Sequence, residues 1–249
     1  MLAADQFRLA DVSVLTKIRN MVTQPYFDPL CPGVPDTGIV SQVALSDLIS
    51  RLQTAWPDYD VSPKTLNTIA SFVAASPFLQ RLAIRYSADV GSCLAGYANK
   101  RFDSAKFDFR AAMADVKTDA TAMAAIRQWR GRSALIVALA DLAGLASVSD
   151  QLRMLSDAAD SALGETIGYL YRQAAQRGKL ALPAADMRGC GWTVLALGKL
   201  GAGELNFSSD IDLILLHDTA RSPLATPNQT QSFFVGMTRN LIRLLGTAT

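Results

Sequence analysis

Between Trp192 and Leu216 the chain reads WTVLALGKLGAGELNFSSDIDLILL, and the fold turns on how this stretch is read. Two strand-length apolar runs, Trp192–Leu197 and Ile211–Leu216, flank a connector carrying Gly198, Gly201 and Gly203. The second run opens on the alternation Asp210–Ile211–Asp212. Successive side chains of a strand face opposite ways, so Asp210 and Asp212 share one face, roughly 6–7 Å apart. Ile211, Leu213 and Leu215 line the other face, while Ile214 and Leu216 continue the aspartate face. A strand apolar on both sides belongs inside a sheet. Two carboxylates at its head repel each other and are costly to desolvate unless a cation lies between them. Oxygen-only donors suit Mg²⁺, which keeps several waters and takes one or two carboxylates plus phosphate oxygens.

The connector supplies the other half of such a site. Glycines at 198, 201 and 203 let backbone amides approach a ligand without interference from a Cβ. Those amides, together with Lys199, suit phosphate oxygens. Ser208 and Ser209 add hydroxyls beside the carboxylates. The string is not a Walker loop, because no Gly-Lys-Ser/Thr ends it. Nor does a G-x-G-x-x-G open it, as a dinucleotide fingerprint requires. Singly, an Asp-x-Asp is ordinary surface decoration and a glycine cluster a plain turn. Joined at this spacing they point to nucleotide binding.

Working outward, the rest of the chain has helical periodicity. The spacing predicts a first helix over 1–23, followed by a connector from Pro25 to Pro35. A second carries Val43, Leu45, Leu48, Ile49 and Leu52 and stops before Pro57. Pro63 fits the first turn of a third, with Leu66, Ile69, Ala70 and Val73, and Pro77 opens a fourth. Long helices follow over 119–145 and 150–176. The second of these has a single apolar stripe, Leu152, Leu155, Ala159, Leu163, Ile167 and Leu170, and is closed by Gly178 and Pro183. Beyond the strands, Phe233, Phe234, Met237, Leu241, Leu244 and Leu245 recur at helical spacing, with Arg239 and Arg243 opposite. The fold class is therefore mostly α with an α+β part: a helical region over 1–185, then a sheet-and-helix region over 186–249.

Composition narrows the function classes. Lys plus Arg number 24 and Asp plus Glu 22, a net +2 too small to mark a nucleic-acid or membrane-surface binder. Half the chain is hydrophobic and only 18% charged, which excludes intrinsic disorder. The uncharged stretches 65–80 and 222–238 contain Pro77, Pro223 and Pro227 among polar residues, so neither reads as a bilayer helix. Asp5, Arg8 and Asp11 interrupt any secretory core. Cys31, Cys93 and Cys190 form no CxxC and read as reduced thiols of a cytoplasmic protein.

The string from Ala196 to Leu213 resembles the signature of the glutamine synthetase adenylyltransferase/adenylyl-removing family, within the DNA polymerase β-like nucleotidyltransferase superfamily. Ala202 stands where that signature usually has a third glycine. Arg130–Gly131–Arg132, Asp141–Leu142–Ala143–Gly144–Leu145, the 160–171 helix and Ser76–Pro77–Phe78–Leu79 are similar to the family's helical lead-in. The resemblance implies an enzyme with two tandem catalytic copies. The first removes AMP from a tyrosine of glutamine synthetase by phosphorolysis, giving ADP. The second attaches AMP from ATP, and PII signalling proteins with glutamine set the balance. This chain resembles the first copy. The carry-over makes Asp210 and Asp212 the ligands of two Mg²⁺ ions and sets Gly198 and Lys199 at the phosphates of an adenine nucleotide.

The superfamily also needs a third carboxylate on a neighbouring strand. After Asp212 the chain offers only Asp218, roughly 20 Å along the same strand. The expectation is a chain cut inside its catalytic region, with little or no turnover of its own. Two other readings compete: transfer of AMP from ATP to the synthetase tyrosine, and a catalytically dead helical module that binds glutamine synthetase or PII. Other residues carry weaker signals. His217, at a strand end, reads as structural or solvated sooner than as a general acid. Arg127, Arg130 and Arg132 around Trp129 read as an exposed helix face, or else as a nucleotide or partner contact. Phe102, Phe107 and Phe109 read as core packing sooner than as a base-stacking platform.

Overall fold

A computed structural model describes residues 15–18 (backbone only), 46–47, 49–51, 54, 70–180, 191–207, 209–224 and 229–246. Strand β1 is Leu15–Ile18. Helical residues at 46–47, 49–51 and 70–75 follow, then α1 (Pro77–Arg85) and α2 (Ser87–Ser92). A π-helical turn, Cys93–Tyr97, leads to α3 (Ala98–Asp115), α4 (Asp119–Leu142) and α5 (Val148–Gln176). Strand β2 (Trp192–Leu197), the helical turn α6 (Gly198–Gly201), β3 (Ile211–His217) and α7 (Thr230–Gly246) complete the order. The described chain is mostly helical with one small sheet, the architecture expected.

Helix starts are written into the sequence. Ser76 caps α1, its Oγ accepting from the Leu79 amide at 3.3 Å, with Pro77 in the first turn where no amide is needed. Thr118 and Thr121 form a reciprocal capping box for α4, and Ser147 and Asp150 do the same for α5. Trp129 joins three helices. It is 1% exposed, its ring stacks on Phe109 of α3 at 5.4 Å, and its Nε1 donates to the Ala158 carbonyl of α5 at 2.9 Å.

Helix α7 closes the bundle against α4, α5 and the sheet. Its Arg243 donates to Asp119, which also accepts from the Tyr169 hydroxyl at 2.6 Å. The Tyr169 bond, with Arg243 beside it, holds Asp119 below the usual carboxylate range. Burial and that carboxylate push Tyr169 up to about 12.

The sheet has the order β1–β3–β2, antiparallel throughout. Antiparallel partners directly opposite project to the same face. Trp192, Val194 and Ala196 thus share a face with His217, Leu215 and Leu213 and turn toward the helices. Trp192 lies 6.0 Å from Tyr171 of α5 and 6.2 Å from Phe234 of α7. The opposite face carries Thr193, Leu195 and Leu197 of β2, all exposed, opposite Leu216, Ile214 and Asp212.

Several expectations are corrected. Residues 15–18, placed in a first helix over 1–23, form a strand on the edge of β3. Val12, Val14, Thr16 and Ile18 are β-branched at alternate positions, a strand pattern that helical spacing hid; the remainder of 1–23 lies outside the described residues. The sheet accordingly has three strands instead of two. Helix α3 was not anticipated, although Ala98, Phe102, Ala105, Phe109 and Met113 make a buried stripe at helical spacing. Phe107 falls off that stripe and is 72% exposed, so it is not core.

Arg132 is neither an exposed face nor a free contact. It is buried, and its Nε and Nη2 clamp both oxygens of buried Asp89 at 2.8 and 3.0 Å. The reason is that α4 is covered almost all round from Trp129 to Ala140. Helix α5 is also buried beyond one stripe, with Met154, Ala158, Ala162 and Tyr169 added, because it packs on α3, α4 and α7. The stretch 119–145 ends its helix at Leu142.

Most of the second and third helices expected near the start, including Leu45, Leu48, Leu66 and Ile69, lies outside the described residues, as do Cys31 and Cys190. Cys93 is buried as a free thiol, and burial pushes it up to about 12. Among the described residues no helix is long and apolar enough to cross a membrane.

Candidate functional site

The turn after β2 brings the glycine connector back onto β3. Leu197, the last residue of β2, pairs with Asp212, the second of β3. Gly198 therefore stands beside the Asp212 carboxylate: a Cβ built on it would lie 3.8 Å from Asp212 Oδ2. The space would accept a methyl, but the backbone would not, because Gly198 has φ +56°, a left-handed conformation that L side chains rarely adopt. Gly201 is required for the opposite reason. Its backbone presses on β2, and a Cβ there would come within 2.5 Å of the Ala196 carbonyl oxygen. These two glycines fold the connector down onto the sheet. Ala202 has φ −84° and ψ −7°, an ordinary right-handed conformation, so a methyl in that position is unstrained.

The connector is tied internally. Ala202 N donates to Gly198 O at 3.1 Å, Gly203 N to Leu200 O at 2.9 Å, and Glu204 N to Lys199 O at 2.7 Å. Leu200 and Leu205 are buried beneath it, while Lys199 is exposed on the α6 turn. Ser209 is buried, and its hydroxyl donates to the Asn206 side chain, so it braces the connector. Ser208 lies outside the described residues.

Strand β3 begins at Ile211, one residue after Asp210. The alternation of buried and half-exposed positions runs back through Asp210: Ser209 and Ile211 are buried, Asp210 and Asp212 half-exposed. Asp212 lies on the open face with Leu195, Leu197, Ile214 and Leu216 nearby. Among the described residues no three of His, Cys, Asp and Glu come together. The candidate protein donors for a divalent ion are the carboxylates of Asp210 and Asp212, acceptors only and oxygen only. Such a pair fits Mg²⁺, whose other positions go to water and phosphate oxygens.

His217 lies elsewhere. It shares the helix-facing side of β3 with Leu213 and Leu215, and its ring packs 5.5 Å from Phe234, across the strand from Asp212. Arg132 is committed to Asp89 and also donates to Asp108 at 3.1 Å. Arg130 and Arg127 are half-buried on the same helix. Phe102 and Phe109 are occupied by Trp129. One contact with the connector comes from outside this window: Ser156 of α5 accepts a hydrogen bond from the Leu205 amide at 3.0 Å. A polar residue inside the apolar run of α5 was its only trace in the sequence.

The glutamate-ammonia ligase adenylyltransferase family matches residues 66–249. A bifunctional glutamine synthetase adenylyltransferase/adenylyl-removing enzyme of Rhodopseudomonas palustris is 33% identical over 223 residues, 88% of this chain and 22% of that protein. A protein of the same description from a Bradyrhizobium species is 46% identical over 134 residues, 53% of this chain and 14% of its own length. Another, from Xanthobacter autotrophicus, is 43% identical over 137 residues, 54% of this chain and 14% of its own. The chain thus spans about a fifth or less of the length of these relatives.

Proposed function

Because the chain belongs to the glutamate-ammonia ligase adenylyltransferase family, we propose that residues 198–212 form a nucleotide site at which AMP is removed from a tyrosine of glutamine synthetase by phosphorolysis, giving ADP. The observation that carries this reading is the pairing of Leu197 with Asp212, which sets a left-handed glycine turn against a half-exposed carboxylate on the open face of the sheet. Asp210 and Asp212 would hold Mg²⁺, which when bound neutralises charge on the phosphate oxygens. Lys199 brings a positive charge to the same oxygens, and the amides of the α6 turn donate to them. An oxygen of inorganic phosphate attacks the AMP phosphorus in line. The bond to the tyrosine oxygen breaks, and the tyrosine regains its proton. Glutamine synthetase is then the protein substrate and an adenine nucleotide the product. PII signalling protein would set the rate in the cytoplasm.

A single-turnover assay tests this. Glutamine synthetase carrying labelled AMP is mixed with the full chain, phosphate and Mg²⁺. A small part of the label, in keeping with the little turnover expected of this chain alone, is expected to leave as ADP, and all of it to remain on the synthetase with Asp210→Asn or Asp212→Asn. Release that both variants leave unchanged would place the chemistry elsewhere. Pyrophosphate formed from ATP and unmodified synthetase, without ADP release in the first assay, would support transfer in the forward direction instead.

A further inference from the structure

The helical region grips the connector at a point outside the residues assigned to the nucleotide. Ser156 lies within α5, 5% exposed. Its Oγ accepts the Leu205 amide at 3.0 Å and donates to the Leu152 carbonyl at 2.8 Å. Leu205 is itself 1% exposed, so that amide has no water to turn to. Residues 198–204 are tied into one unit by their own backbone bonds, and Asn206 is bonded to Ser209 just before Asp210. Leu205 is the joint between the glycine turn and the carboxylate side. We infer that Ser156 is a positioning residue of the nucleotide site, setting through this one hydrogen bond where the glycine turn stands relative to Asp210 and Asp212. The inference rests on the reading given under Proposed function.

When the hydroxyl is removed, either the helix or the connector must yield. A helical serine that only back-bonds to its own helix gains little and slightly disfavours it. Here the back-bond occupies the proton and leaves a lone pair aimed at the connector, so both capacities of the hydroxyl are used. Without it, the Leu205 amide is buried and unsatisfied, a penalty relieved only by letting water in. Helix α5 is held by its capping box and by Trp129, Tyr169 and Tyr171, whereas the internal bonds of the connector survive a rigid displacement. The connector therefore lifts, and the turn moves away from Asp212 while the helices stay in place.

The test uses the full chain with Ser156→Ala, with Ser156→Thr, which keeps the hydroxyl, and with Ser161→Ala. Ser161 is equally buried on α5 but makes no hydrogen bond to the described part of the connector. Two quantities are read: hydrogen exchange of the Leu205 amide, and affinity for ADP in the presence of Mg²⁺. Ser156→Ala is expected to speed Leu205 exchange and weaken Mg-ADP binding, each by roughly tenfold, with exchange in α4 and α5 unchanged. Ser156→Thr restores both, and Ser161→Ala alters neither. Wild-type exchange at Leu205 in Ser156→Ala overturns the inference. So does an equal loss of binding in Ser161→Ala, which would mean general loosening of the helix. If the wild-type chain binds no Mg-ADP, the functional reading fails, and the role of Ser156 is decided by Leu205 exchange alone.

Discussion

Trp129→Ala is expected to lower the unfolding free energy of the helical region by about 3–5 kcal/mol in denaturant titration. The indole is 1% exposed, stacked within 7° of parallel on Phe109 and tilted against Phe102, both at 5.4 Å. Truncation removes the largest side chain from the point where α3, α4 and α5 meet, and the helices around it cannot collapse into the space. It also removes the Nε1 hydrogen bond to Ala158. Domains of ordinary size are stable by only about 5–15 kcal/mol, so the variant should sit near its unfolding threshold. Trp129→Phe keeps most of the ring and should lose far less. Phe107→Ala, at an exposed position of α3, should stay within about 0.5 kcal/mol of the wild type. A loss below about 1 kcal/mol for Trp129→Ala would mean that the three helices do not pack around this ring.

Asp89→Ala is expected to cost about as much, about 3–5 kcal/mol, for an electrostatic reason. Asp89 is 2% exposed and accepts from both Arg132 and Arg101. Its hydrogen bonds to Arg132 hold that guanidinium more firmly protonated than usual. Removing the carboxylate leaves Arg132 buried, with only the exposed Asp108 to pair with. The penalty belongs to the uncompensated charge more than to the lost attraction. The double variant Asp89→Ala with Arg132→Met should therefore be more stable than Asp89→Ala alone, a sign that only a coupled pair gives. If the double variant is less stable than Asp89→Ala alone, Arg132 must contribute mainly through its packing.

The sequence carried the elements with strong local signals. Pro77 and long apolar periodicity placed α1, α4 and α5 within a few residues of where they lie. Signals that depend on distant partners were lost. Strand β1 exists because β3 offers it an edge, and its alternating β-branched residues are too short a pattern to outvote the surrounding helical spacing. Helix α3 was masked by its many charges, several of which meet partners on other helices, as Lys106 does with Asp157 of α5 at 2.6 Å and Asp108 with Arg132 of α4. Arg132 itself could not be placed without knowing that Asp89, far off in the chain, would meet it.

The candidate site was more legible because its parts are contiguous. A turn and the strand it feeds lie within one window, so Gly198 had to stand beside Asp212 once Leu197 paired with it. Ser209 was legible only as a hydroxyl near the carboxylates; that it is spent on Asn206 depends on how the connector curls. The contribution of α5 through Ser156 comes from outside that window, and no local pattern could reveal it.

Asp210 and Asp212 are proposed to bind a divalent ion together with a nucleotide held at the Gly198 turn. Calorimetric titration of the full chain with ADP, with and without Mg²⁺, tests this most directly. Binding that needs Mg²⁺ and disappears in Asp212→Asn, while the variant unfolds at the wild-type denaturant midpoint, is the predicted result. Binding of equal strength without Mg²⁺, or unchanged in Asp212→Asn, would contradict it.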